Sequence, residues 1–245
     1  IINSKSYYKN LKKTKKIFNS FLIDLKNFEI PLLQSYEKDY EFDFSNKMVK
    51  KFSKYKNIII IGMGGSVLGT KSIYSFFKKK IKKNVFFFDN LDPNLNLEFK
   101  KIKNLKSSCF IVVSKSGKTI ETIINLGSIF SKNLLKNKLI IIAEPTDNAL
   151  MTIANKYQAE VIEHKEFISG RYSVLSETGM FPAALLGLNL MKFKNLKRLI
   201  KNKNFISTLI QNVACIHTLI SKKINNSVIL SYDSNLNDLG YWYQQ

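Results

Sequence analysis

Only two cysteines, two histidines, two arginines and one tryptophan occur among the 245 residues. Cys109 and Cys215 lie far apart in apolar surroundings, so no disulfide framework can be drawn. Both read as buried free thiols of a reducing, cytoplasmic compartment. His164 and His217 have no Cys, Asp or Glu at ligand spacing, which argues against zinc. No Ser-His-Asp arrangement can be assembled from them. No apolar run reaches the roughly 18–20 residues of a membrane span. The start, Ile1-Ile2-Asn3-Ser4-Lys5, has neither Met nor the apolar core of a signal peptide, and it reads as a chain missing its N-terminus.

Acidic residues are also few. Asp+Glu is 18 against 39 Lys+Arg, a formal net charge of +21. A charge of this size raises a nucleic-acid or acidic-membrane partner. The make-up of the cations speaks for a lysine-rich proteome instead. Arg171 and Arg198 are the only arginines, whereas base and phosphate readers lean on the planar guanidinium fork. The lysines are spread along the chain, and runs such as Lys78-Lys79-Lys80 read as solvated helix ends. The expectation is no specific nucleic-acid partner and no membrane.

Hydrophobic residues make up 45% and charged residues 23%, an ordinary globular balance that leaves room for a sizeable core. Residues 1–55 form a helical lead-in, with Leu11, Ile17, Phe18, Phe21, Leu22 and Leu25 three or four apart along much of it. Four nearly all-apolar runs follow: 57–61, 85–88, 109–113 and 139–143. Such runs predict strands buried on both faces of a parallel sheet. Helical periodicity between them, over 67–79, 95–105, 119–135 and 148–157, predicts a doubly wound α/β sheet with ligands at the strand C-termini. A loop over 163–176 leads to helices near 177–190 and 204–222. A strand at Ser227–Ser231 and a helix over 238–245 then read as the truncated start of a second α/β unit. The domain expectation is 1–55, 56–190 and 191–245.

Three segments carry chemistry. The first strand exits into Gly62-Met63-Gly64-Gly65-Ser66, where glycine admits close backbone approach and the next helix offers N–H groups to an anion. Its spacing fits neither the dinucleotide nor the Walker pattern, so NAD and ATP are disfavoured. The third strand exits into Ser114-Lys115-Ser116-Gly117-Lys118-Thr119 at another helix start. Three hydroxyls there suit a phosphate monoester, although N-capping alone also uses such residues. Two such exits can face each other across a switch point of the sheet, which predicts a phosphorylated small molecule. Ser169-Gly170-Arg171-Tyr172-Ser173 places a guanidinium in a lysine-dominated chain, suited to a developing oxyanion or to pairing with Glu177.

Together these segments resemble the glucose-6-phosphate isomerase (phosphoglucose isomerase) family. Ile61–Gly69 looks like its glycine-serine signature, Phe88-Asp89-Asn90-Leu91-Asp92-Pro93 the segment after its second strand, Ser114–Thr122 its phosphate loop, and Ser169–Ser176 its Gly-Gly-Arg signature. The resemblance implies a sugar-isomerase (SIS) fold and interconversion of glucose 6-phosphate and fructose 6-phosphate through a cis-enediol. It implies no metal or organic cofactor, and a homodimer for the full-length protein. Ser66, Ser114, Lys115, Ser116 and Thr119 would bind the sugar phosphate, with Gly65 giving backbone access. Arg171 would be catalytic, stabilising the enediolate. Ser169 replaces the first glycine of Gly-Gly-Arg, and Gly117-Lys118 alter the phosphate loop's interior. The family's base glutamate follows a segment like Tyr241-Trp242-Tyr243-Gln244-Gln245 by a few residues, and the sequence stops there. This chain alone is therefore expected to bind sugar phosphate weakly and turn over little. The alternative is a non-catalytic sugar-phosphate-binding SIS module.

Overall fold

The computed structural model describes residues 4–27, 29–129 and 136–245. Its contacts divide the chain into two units, 1–40 with 191–230 and 41–190 with 231–245.

In chain order the helices and strands are α1 (Lys5–Lys26), α2 (Asn46–Ser53), β1 (Asn57–Gly62), α3 (Gly65–Phe77), β2 (Asn84–Phe88), α4 (Leu95–Lys100), β3 (Ser108–Val113), α5 (Ile120–Ile129), β4 (Leu139–Ala143), α6 (Ala149–Tyr157), β5 (Glu160–Glu163), α7 (Glu177–Leu185), α8 (Leu196–Lys201), α9 (Lys203–Ser221) and α10 (Asn237–Gln244). A 3₁₀ turn spans Gly170–Leu175.

The larger unit is built on one parallel sheet of order β2-β1-β3-β4-β5. β1, β3 and β4 are buried along their whole length, as their unbroken apolar runs require. Alternate strand residues feed two cores. Ile59, Ile61, Phe110, Val112 and Ile141 pack with Leu95 of α4, Leu126 of α5 and Leu150 of α6. Ile58, Ile60, Ile111, Ile140 and Ile162 pack with Phe52 of α2, Val67 of α3 and Phe181 of α7. The helix after β1 and the helix after β3 therefore cover opposite faces. Adjacent strands whose connections part in this way leave a crevice at their C-terminal ends.

The smaller unit pairs α1 with α9. Tyr7 and Asn10 of α1 are buried, and Asn10 Nδ2 donates to Thr218 Oγ1 at 3.0 Å. Ile17, one of the residues read as its apolar face, is exposed. The same unit buries Lys194, whose ammonium donates to the Ser35 carbonyl and lies 4.6 Å from the Tyr40 ring centroid.

Several elements differ from the sequence reading. β5 was not anticipated: four residues with a glutamate at each end show no apolar run, and only Ile162 is buried. α4 stops at Lys100, and Asn104 takes a left-handed conformation (φ 57°) before β3. α7 ends at Leu185, two residues before Gly187 at φ 78°. Residues 130–135 of the long helix expected over 119–135 lie outside the described residues. The strand expected at Ser227–Ser231 is not formed. No ladder among the described residues includes it, and Val228 and Leu230 are 80% and 72% exposed. An apolar, β-branched run favours a strand, but without a partner its backbone groups gain nothing from extension.

Candidate functional site

Gly62 and Val113 are register partners at the ends of β1 and β3, so both exit loops leave the sheet side by side. Their helices, α3 and α5, begin at that same edge and point positive dipole ends toward it.

The β1 exit is shaped by absent side chains. Gly64 precedes α3 at φ 53°, ψ −127°, a conformation that a Cβ opposes. An ideal Cβ on Gly65 would lie 2.5 Å from Arg171 N and 2.6 Å from Arg171 Cα. The glycine loop and the arginine turn thus touch backbone to backbone, although more than a hundred residues separate them. One on Gly69 would lie 2.6 Å from Val174 Cβ, extending that contact along α3. One on Gly170 would lie 4.0 Å from Ser66 Oγ, so the Ser66 hydroxyl sits beside the same turn.

The arginine turn is fixed from within by hydroxyls. Ser173 Oγ donates to Gly170 O (2.7 Å), and Ser176 Oγ (2.8 Å) and Thr178 Oγ1 (2.7 Å) lie on Ser173 O. Thr70 Oγ1 of α3 donates to Thr178 O at 3.0 Å. Arg171 itself is exposed and makes no ion pair among the described residues. The alternative pairing with Glu177 is not formed: Glu177 is buried, and its Oε1 accepts from Asp43 N at 3.3 Å. The guanidinium Nη1 instead donates to Gln245 O at 3.4 Å, and Trp242 Nε1 donates to Arg171 O at 3.0 Å.

The β3 exit is shaped by polar side chains. Gly117 N donates to Ser114 O (3.0 Å), closing a tight turn that needs Gly117 at φ 63°. Ser114 is buried, and its Oγ lies 2.8 Å from Thr119 Oγ1. Ser116 is exposed, with its Oγ accepting from Lys118 N at 3.3 Å. Lys115 has its ammonium 3.6 Å from Glu144 Oε1 and donates to Glu166 O at 2.6 Å. Its positive charge is thus shared with a carboxylate that the sequence reading had not paired with it. Asn148 is a second residue the sequence reading missed. It caps α6, accepting from Met151 N at 3.0 Å, while Nδ2 reaches Glu144 O and Thr146 O. Its side chain fills the space a Cβ on Gly117 would need, 2.0 Å away. An Asn before an apolar helical stretch is a capping signal, but nothing in the sequence ties it to Gly117.

His164, at 1% exposure, lies within the electrostatic reach of Lys115 and Glu144. Burial holds its imidazole below the ordinary range, and Lys115 lowers it further. The Lys165 carbonyl, 3.2 Å from Nδ1, and Glu144 oppose this. Cys109, in the middle of β3, is pushed up to about 12 by burial and is inert as a nucleophile. Among the described residues no His, Cys, Asp or Glu group could hold a metal ion. No described helix is long and apolar enough to cross a membrane.

The family model "Phosphoglucose isomerase" matches residues 41–245. A glucose-6-phosphate isomerase of Methanocaldococcus jannaschii is 31% identical over 217 residues, covering 85% of this chain and 53% of its own length. A crystal structure of a hypothetical protein from Thermus thermophilus superposes with a TM-score of 0.68 at 18% identity. It covers 98% of this chain and 55% of that one, and shows the fold. A crystal structure of a glucose-6-phosphate isomerase from Chlamydia trachomatis gives 0.51 at 25% identity, over 61% of this chain and 30% of that one. The chain spans about half the length of the first two curated relatives it matches, 53% and 55%.

Proposed function

Since the chain belongs to the phosphoglucose isomerase family, we propose that it carries the sugar-phosphate-binding half of an enzyme interconverting glucose 6-phosphate and fructose 6-phosphate. The observation that carries this reading is the contact of Gly65 with the Arg171 backbone, which joins an anion-suited strand exit to an exposed guanidinium.

The chemistry follows from the charges. A phosphate ester at the crevice meets the N-termini of α3 and α5, with hydroxyls from Ser66, Ser114, Ser116 and Thr119 as neutral donors. Ser114 and Thr119 already share a hydrogen bond, so their orientation is set before the ligand arrives. Lys115 adds positive charge tempered by Glu144, and Gly65 lets the ligand approach the backbone. The far end of the sugar then lies toward Arg171. Isomerisation of the open-chain aldose removes the C2 proton to a base, leaving an enediolate whose charge sits first on O1; moving the O2 proton to O1 shifts that charge to O2. Returning the proton at C1 completes the ketose. An exposed guanidinium with no Asp or Glu partner among the described residues stabilises that charge as it forms. The family-implied homodimer is the assembly expected of the whole protein. Residues 191–245 are read as linking helices and the start of a second α/β domain there.

In the whole protein, Ser114→Ala raises KM while largely sparing kcat, and Arg171→Ala mainly lowers kcat, as steady-state kinetics will show. In this chain, millimolar fructose 6-phosphate raises Tm and arbitrary DNA does not. Stabilisation by DNA with none by sugar phosphate would overturn the reading.

A further inference from the structure

We propose that Trp242 is a positioning residue for Arg171, fixing the peptide from which the guanidinium projects toward the sugar end of the ligand. The proposal rests on the sugar-phosphate reading of the site.

A guanidinium facing a developing oxyanion has to be held without a carboxylate that would cancel its charge. Arg171 meets this condition: it is exposed, it pairs with no Asp or Glu among the described residues, and its guanidinium makes only a long 3.4 Å hydrogen bond to Gln245 O. Its hold comes from the backbone instead. Gly65 of α3 sits against its N and Cα, so no side chain could stand between them. Tyr172 N donates to Ser169 O at 2.9 Å, and Ser173 Oγ donates to Gly170 O at 2.7 Å. The carbonyl of Arg171 is bonded from α10, by Trp242 Nε1 at 3.0 Å. An indole N–H only donates, and here it is spent on the Arg171 carbonyl, so it fixes this peptide without accepting a hydrogen bond from the guanidinium.

α10 is itself seated on α3, where Ser75 Oγ donates to Asp238 Oδ2. One helix therefore presents its N-terminus to the phosphate and, through α10, sets the orientation of Arg171. The two ends of the ligand are registered against a single rigid element. Trp242 is also the sole tryptophan of the chain, which makes its fluorescence a direct report on this junction.

The test is Trp242→Phe, which keeps an aromatic ring and deletes the donor, beside Ser75→Ala, which loosens α10 at its other tie. Losing one hydrogen bond predicts about 3–10-fold faster amide exchange over residues 168–175 in Trp242→Phe, with the amides of β1 and β3 unchanged. It also predicts about 3–10-fold weaker binding of an aldonate 5-phosphate, whose planar carboxylate stands in for the enediolate. Affinity for inorganic phosphate stays within twofold, which doubles as the check that the variant is folded. Unchanged exchange in Trp242→Phe overturns the proposal. So does the same ligand split in Ser75→Ala, since the effect would then belong to helix docking and not to the indole donor. If exchange rises but the unmodified chain binds neither ligand, the hydrogen bond stands, while the sugar-phosphate reading and the role toward a ligand both fall.

Discussion

The two strand exits that flank the crevice reach similar ends by opposite means. The loop after β1 works by what it omits: Gly65 presses backbone against the backbone of Arg171, where nothing can yield. The loop after β3 works by what it supplies: Gly117 turns the chain at φ 63°, and the space beside it is filled by the side chain of Asn148. The first exit is therefore intolerant and joins distant segments. The second is adaptable and is held by capping bonds. The difference shows that a glycine in a loop can be needed for contact or for conformation, and that the two needs fail differently.

The sharpest way to break the contrast is Gly65→Ala. A Cβ 2.5 Å from Arg171 N displaces backbone, and overpacking of this kind costs about 1–3 kcal/mol. Denaturant titration should show the loss. Binding of a sugar phosphate should fall with it, because Arg171 moves. Gly117→Ala should cost less, about 1–2 kcal/mol, from left-handed strain together with a displaced side chain that can rotate away. If the rotation of Asn148 is the relief, Gly117→Ala combined with Asn148→Ala should cost less than the two single changes added together. Strict additivity would show that the loop does not relax through Asn148. Asn148→Ala alone removes a helix cap worth about 1 kcal/mol.

The smallest effect concerns pH. His164 stays neutral in the fold because burial depresses its pKa, whereas the unfolded chain takes up a proton below about 6.5. The unfolded state binds more protons in that range, so the contribution of His164 is fully present above it. It is lost as pH falls through the depressed folded value. Thermal melts from pH 7 to pH 5 should fall more steeply for the unmodified chain than for His164→Gln. Equal slopes would mean that His164 is solvated.

Much of the scaffold was legible because burial on both faces leaves a plain mark. β1, β3 and β4 are unbroken apolar runs, and the glycine, hydroxyl and arginine segments do lie at or beside the strand C-termini. β5 left no such mark, since its two glutamates and short length resemble a loop. Ser227–Ser231 shows the converse error, an apolar run read as a strand when no neighbour among the described residues pairs with it. Contacts between remote segments were not readable either. Neither Asn148 against Gly117 nor Trp242 on Arg171 follows from any local pattern, because only the fold brings them together. The pairing of Lys115 with Glu144 was hidden for the same reason.

The central claim is that both strand exits serve one anion. Amide spectra recorded while titrating inorganic phosphate test it most directly. The amides of Gly65, Ser66 and Lys115–Thr119 should shift together along one binding curve. Shifts confined to one loop, or two curves with separate midpoints, would contradict a shared site.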